Sequence, residues 1–187
     1  PPAGEEVFVN GGPHRESVDI VAYDDAWPAE YALVAERIRD VLDTQMIGLD
    51  HIGSTSVPGL PAKATIDIDL TVTDSSDESA YVLALQSVGF RLVIRERGWH
   101  EHRLFTLDKP RVNLHVFSPE CPEVIRHRMF RDWLIEHPED RDRYRRAKLE
   151  AAAGARSADE SVTDYNQRKQ PAIREIYARM FCAHGLL

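Results

Sequence analysis

Up to about residue 120 this chain mixes stretches whose apolar positions recur every second residue with two at helical spacing; beyond it the spacing is helical. Residues 64–72, Ala-Thr-Ile-Asp-Ile-Asp-Leu-Thr-Val, alternate and are β-branched, which predicts a strand. Ile66, Ile68, Leu70 and Val72 then share its core face. Residues 46–52 read as a strand ahead of it, and residues 18–23 as a weak edge strand. Further strands are expected at 90–94, 102–107 and 112–117, with turns at 95–101 and 108–111, forming an antiparallel meander added to the sheet. Asp24-Asp25-Ala26-Trp27-Pro28 offers an N-cap and a first-turn proline. Trp27, Tyr31, Val34, Ala35, Ile38, Val41 and Leu42 follow on one stripe, predicting a helix over 27–43. A second helix is expected over 77–88, stopped by Gly89. After Pro119, helical patterns cover 123–136, 139 to about 153 and 160–183.

The chemistry lies on the other face of the strand at 64–72. Asp67 and Asp69 are two residues apart, so both carboxylates project from one side and repel each other unless a cation lies between them. Mg²⁺ or Mn²⁺ would suit, since these hard ions accept a few carboxylate oxygens and leave positions for substrate phosphates. The turn ahead of the strand, Gly53-Ser54-Thr55-Ser56, offers hydroxyls and close backbone N–H groups of the kind that cradle phosphate. An isolated Asp-x-Asp reads as a strand edge facing water; the serine-rich turn beside it shifts the reading toward a phosphate site.

The stretch from His51 to Lys63, His-Ile-Gly-Ser-Thr-Ser-Val-Pro-Gly-Leu-Pro-Ala-Lys, running into Ile66-Asp67-Ile68-Asp69, closely resembles the signature of the GrpB family, within the nucleotidyltransferase superfamily. The resemblance continues through residues 111–117 and the helices around 130–134, 144–149 and 165–169, and so covers about residue 18 to the C-terminus. It implies an α+β fold, a nucleotidyltransferase-like mixed sheet flanked by helices, with a helical half from about residue 121. It also implies metal-dependent nucleotidyl or phosphoryl transfer from a nucleoside triphosphate to a small-molecule acceptor. Asp67 and Asp69 would hold the divalent metal, Gly53 and Ser54 the phosphates, with Thr55, Ser56 and Lys63 behind them. Lys169 belongs to a Tyr165-x-x-x-Lys169 pattern that the resemblance includes.

One departure matters. Active members of the superfamily usually carry a third acid on a neighbouring strand. Here Val112, Leu114 and Val116 claim the core face of that strand, leaving Asn113, His115 and Phe117 opposite, with His115 in the place of the missing carboxylate. An imidazole can ligate a transition metal or act as a general base, but it is a poor Mg²⁺ ligand. Two other readings therefore stay open: an inactive nucleotide- or metabolite-binding module, or a His/Asp transition-metal ligase or hydrolase. His102 heads a strand that could bring it to His115, and His51 either points toward the aspartates or hydrogen-bonds the loop. In the helical half, Arg126, Arg128, Arg131, Arg141, Arg143, Arg145, Arg146 and Lys148 alternate with acids. Most of these form a solvated face, while one or two could hold an anionic substrate group.

Composition narrows the setting. With 187 residues, 43% hydrophobic and 29% charged, the chain suits one domain over 17–187, behind a flexible or loosely docked leader at 1–16. A net charge of −8 makes nucleic acid an unlikely partner. No apolar run approaches the roughly 20 residues of a membrane helix, so no membrane partner is expected. Cys121 and Cys182 read as free thiols, and residues 1–6 lack a signal-peptide layout; a cytoplasmic location is expected.

Overall fold

The computed structural model describes residues 7–9, 19–157 and 162–187. Helix α1 (Trp27–Leu42) leads into β1 (Met46–Ile52) and β2 (Ile66–Val72). Then come α2 (Val82–Ser87), β3 (Arg91–Glu96), β4 (His102–Leu107) and β5 (Val112–Phe117). Three helices close the chain: α3 (Pro122–Glu136), α4 (Pro138–Ser157) and α5 (Val162–Ala183). The five strands form one mixed sheet in the order β1-β2-β5-β4-β3. β2 and β5 run parallel, and every other neighbouring pair is antiparallel. The expected α+β architecture, meander included, is what forms.

Period-2 alternation gives the sheet two unlike faces. Ile66, Ile68, Leu70 and Val72 of β2 join Val112, Leu114 and Val116 of β5 and Phe105 of β4 on the apolar face. Val34, Ile38 and Leu42 of α1 and Leu85 of α2 cover that face in one buried cluster. The opposite face carries Asp50, Asp67, Asp69, Asn113 and His115 in register across β1, β2 and β5. Helix α3 reaches this polar face through side chains that bond Asp50, His51 and Asp69. A second buried cluster joins Trp133 and Leu134 of α3, Tyr144 of α4 and Ile176 and Met180 of α5 to Val57 and Leu60. The loop between β1 and β2 is therefore pinned into the helical half by its own apolar side chains.

Two local expectations need correction. The edge strand expected over 18–23 does not form over the described residues 19–23, where Val21 makes a single bridge to Ala62, with N–O distances of 2.9 and 3.0 Å; Val18 lies outside the described residues. The helix expected over 77–88 is split into a 3₁₀ turn, Glu78–Ala80, and the short α2. Tyr81 interrupts it, with φ −142°, and donates its buried hydroxyl to Ser75 O at 2.6 Å. Of the expected leader, residues 7–9 run against β3, where Arg95 N–H donates to Val7 O at 2.8 Å and Val9 N–H to Val93 O at 3.1 Å. The remainder of 1–16 lies outside the described residues.

Candidate functional site

Asp67 and Asp69 project from the same face of β2, and different parts of the chain meet each one. Asp67 Oδ1 accepts a 2.9 Å hydrogen bond from Asn113 Nδ2 on the neighbouring parallel strand. Gly53 closes over the other oxygen: a Cβ built at position 53 would lie 2.5 Å from Asp67 Oδ2. With φ +71° and ψ −168°, Gly53 also occupies backbone space that is essentially restricted to glycine. The turn and the carboxylate strand are thus in direct contact. Burial pushes the Asp67 carboxyl above the usual carboxylate range, against the Asn113 hydrogen bond and the charges of Lys169 and Lys63.

Asp69 is fully buried. Its Oδ2 lies 2.8 Å from His127 Nδ1 on α3, while its Oδ1 has no hydrogen-bond partner among the described residues. A buried carboxylate oxygen without a donor is costly unless a cation or ligand meets it. Asp50, beside Asp69 in the β1–β2 register, is taken by Arg128 Nη2 at 2.6 Å and Nε at 2.9 Å. Among the described residues, no three His, Cys, Asp or Glu side chains come together as a cage able to hold a metal ion by themselves. The aspartates, with Asp69 Oδ1 uncommitted, fit an ion that takes its remaining ligands from phosphate and water, which is the habit of Mg²⁺.

His115 and His102 do meet, with His115 Nδ1 3.0 Å from His102 Nε2. His102 Nδ1 in turn lies 2.7 Å from Glu96 Oε2. With Glu96 ionised, His102 donates from Nδ1 and accepts at Nε2, so His115 donates from Nδ1 and its own Nε2 carries a bare lone pair. Burial keeps both rings neutral: His102 is lowered to about 4, with His127 and Arg103 contributing, and His115 to about 3, with His102 contributing. His51 takes the second of its two expected roles. Its Nε2 lies 3.0 Å from Thr55 Oγ1 and its ring stacks on Tyr31 at 4.7 Å.

Of the serine-rich turn, only Ser54 lines the cavity beside Asp67. Thr55 Oγ1 donates to Thr65 O at 3.3 Å and Ser56 Oγ to Gly53 O at 2.6 Å, so both hydroxyls serve the turn itself. The cavity, about 240 Å³, is lined by Ser54, Lys63, Asp67 and Asn113 from the sheet side and by Lys148 and Lys169 from α4 and α5, with Ala62, Thr65, Tyr165 and Asn166 completing it. Lys148 is 2% exposed and donates from Nζ to Pro61 O at 2.5 Å. Burial lowers its amine well below the ordinary lysine range, and Lys169 adds to the effect. Lys169 Nζ sits 4.6 Å over the Tyr165 ring.

Sequence reasoning named Lys148 only within the basic helical region and did not name His127. The signal for Lys148 was its position: Tyr144, Lys148, Ala151, Ala152 and Ala155 form the buried stripe of α4, and a lysine inside such a stripe needs a polar destination. His127 lies one turn on from buried Val124 and one turn before Arg131, on the face of α3 that meets the polar sheet.

Three kinds of likeness accompany this geometry. A family model described as GrpB protein matches residues 17–179. A UPF0157 protein of Halalkalibacterium halodurans is 44% identical over 167 residues, spanning 89% of this chain and 84% of that protein. Another from Streptomyces coelicolor is 34% identical over 173 residues, spanning 92% and 89%. A dephospho-CoA kinase of Mycolicibacterium paratuberculosis is 27% identical over 191 aligned positions, but the match spans 88% of this chain and only 46% of that longer protein. The crystal structure of the conserved protein GrpB from Enterococcus faecalis superposes with a TM-score of 0.69 at 23% identity, covering 85% of this chain and 99% of that one, which shows a common fold. No helix among the described residues is long and apolar enough to cross a membrane.

Proposed function

This chain belongs to the GrpB family, and we propose that it transfers a nucleotidyl or phosphoryl group from a nucleoside triphosphate to a small-molecule acceptor. One observation carries the reading. Asp67 forms part of the wall of a cavity that also bears Ser54, Lys63, Lys148 and Lys169, so a carboxylate strand and a cluster of lysines border the same space. Phosphoryl transfer needs little covalent help from a protein; it needs oxygen ligands, positioned cations and alignment.

A divalent ion held by Asp67 and Asp69 would neutralise charge at the phosphoryl group and on the departing oxygen. The chain's own groups do the rest. Asn113 fixes the Asp67 carboxylate, Gly53 keeps the turn close against it, and the lysines hold phosphate oxygens in line. The acceptor oxygen forms a bond to phosphorus as the bond to the leaving phosphate breaks. The acceptor proton passes to a base, for which the bare Nε2 of His115, beside Asp69 in the β2–β5 register, is the candidate. The dephospho-CoA kinases that contain a similar stretch lend this nucleotide-linked setting some support, although their named activity belongs to those longer proteins.

A second reading draws on a specific observation: His127 already engages Asp69, and no complete metal cage exists among the described residues. That arrangement favours a nucleotide-binding module without turnover. Pyrophosphate or nucleoside diphosphate release with each nucleoside triphosphate, Mg²⁺ or Mn²⁺ and a panel of small alcohols, amines and phosphates separates the two. Release that is lost in Asp67→Asn supports transfer. Thermal stabilisation by nucleotide, with no release across the panel, supports the binding module.

A further inference from the structure

We propose that the cavity between the β1–β2 loop and helices α4 and α5 binds the phosphate chain of its nucleotide and reads no base. Lys148 and Lys169 would grip a polyphosphate beside Asp67, leaving sugar and base outside. The inference rests on the nucleotide reading above and makes its substrate requirement specific.

Size is the first argument. At about 240 Å³ the cavity falls below the roughly 300–1,000 Å³ of pockets that enclose a whole small-molecule ligand. It suits a segment of a ligand. The lining says which segment: it carries three lysines against one carboxylate, with the remainder mostly hydroxyl and amide groups. That cluster of amines occurs in a chain with a net charge of −8. A base would need an aromatic or apolar platform, and the one aromatic ring in the lining, Tyr165, already has the Lys169 ammonium over its face.

Lys148 supplies the second argument. It is 2% exposed at the cavity wall, and among the described residues its hydrogen-bond partner is Pro61 O, one acceptor for a group with three donors. Burial and the like charge of Lys169 oppose its ionised form, and the Asp67 carboxyl and the Tyr144 ring, 5.3 Å from Nζ, offset them only in part. A polyanion between Lys148 and Lys169 supplies acceptors and countercharge to both. Because they come from different helices, and Ser54 from the loop of the sheet half, a chain of phosphates would also bridge the two halves of the molecule.

The test uses the full chain and inorganic tripolyphosphate, followed by calorimetry without added metal, with ATP, GTP, CTP and UTP as competitors. Tripolyphosphate should bind more tightly than orthophosphate, and the four nucleotides should displace it with similar affinity. Lys169→Met, at the more open position, should weaken tripolyphosphate about tenfold, the size of one charge-assisted hydrogen bond. Lys148→Met should do at least as much, provided circular dichroism shows it folded. Absence of tripolyphosphate binding, unchanged affinity in folded Lys169→Met, or one nucleotide outcompeting the other three by about tenfold or more would overturn the proposal. Tripolyphosphate binding without any turnover would sink transfer and leave this inference standing; turnover without tripolyphosphate binding would do the reverse.

Discussion

His127 Nδ1 of α3 stands 2.8 Å from Asp69 Oδ2 of β2, and this pair ties the helical half to the carboxylate strand. Asp69 is fully buried and His127 partly so, and no donor among the described residues reaches the other Asp69 oxygen. Removing the imidazole leaves a buried carboxylate with neither oxygen satisfied. His127→Ala should therefore cost about 1–3 kcal/mol, the penalty of stranding a buried acceptor. Urea titration should show a lower midpoint with an unchanged slope. The double variant His127→Ala/Asp69→Asn should recover part of the loss, because the stranded charge is gone. A loss that simply adds across the two changes would show that the pair is not coupled.

Much of this site could be read from residue order because β-strand parity is strict. Asp67 and Asp69 had to share a face, and Asn113 and His115 had to share a face on the next predicted strand. That β5 would lie parallel and in register with β2, bringing Asn113 to Asp67, depends on the crossover and could not be read locally. His51 illustrates the same limit. Asp50 and Ile52 pair in register with Asp69 and Asp67, so His51 alternates to the side where α1 places Tyr31. The contributions of α3, α4 and α5 were hidden for another reason. Helical periodicity finds a buried stripe but does not say what it is buried against, so Lys148 looked like one member of a charged helical surface and His127 drew no reading at all.

Gly53 makes a sharp test of the contact between turn and strand. Gly53→Ala would put a methyl group 2.5 Å from Asp67 Oδ2 and force a side chain into backbone space at φ +71° and ψ −168°. Strain of this kind costs about 1–3 kcal/mol. The carboxylate must also move, so nucleotide or metal affinity should fall beyond what the stability loss explains. Thermal unfolding and calorimetric titration of the same variant separate the two effects. Gly59→Ala, at a positive φ with open space around it, serves as the control for strain alone.

Stability should fall with acid before the ordinary carboxylates titrate. His51 is lowered to about 4 by burial and by the Arg131 guanidinium, and His102 to about 4 chiefly by burial. Each binds its proton in the unfolded chain near 6.5 and in the folded chain only near 4. The unfolded state therefore binds more protons across this window, and stability rises with pH through it. The contribution is complete above about pH 6.5 and is lost as pH falls toward about 4, at about 1 kcal/mol per pH unit for each fully mismatched histidine. In His51→Gln, which keeps a hydrogen-bonding side chain near Thr55 without the titration, unfolding midpoints at pH 7 and pH 5 should lie closer together than in the parent. An unchanged gap would show that His51 binds its proton equally well in the folded and unfolded chain.

Metal preference tests the role of His115. The hydrogen-bond order from Glu96 through His102 leaves its Nε2 unprotonated, and burial keeps the ring neutral far into acid. A neutral imidazole with a bare nitrogen prefers Mn²⁺, Zn²⁺ or a similar ion, whereas a site built from Asp67 and Asp69 alone prefers no such ligand and accepts Mg²⁺. If His115 ligates, calorimetry should show a transition ion binding more tightly than Mg²⁺, and His115→Ala should weaken the transition ion by about 10–100-fold while leaving Mg²⁺ little changed. Asp69→Asn should weaken both, because it removes the uncommitted buried oxygen whichever ion binds. Equal affinity for Mn²⁺ in the parent and His115→Ala would take the imidazole out of the ligand set and leave it as a candidate base.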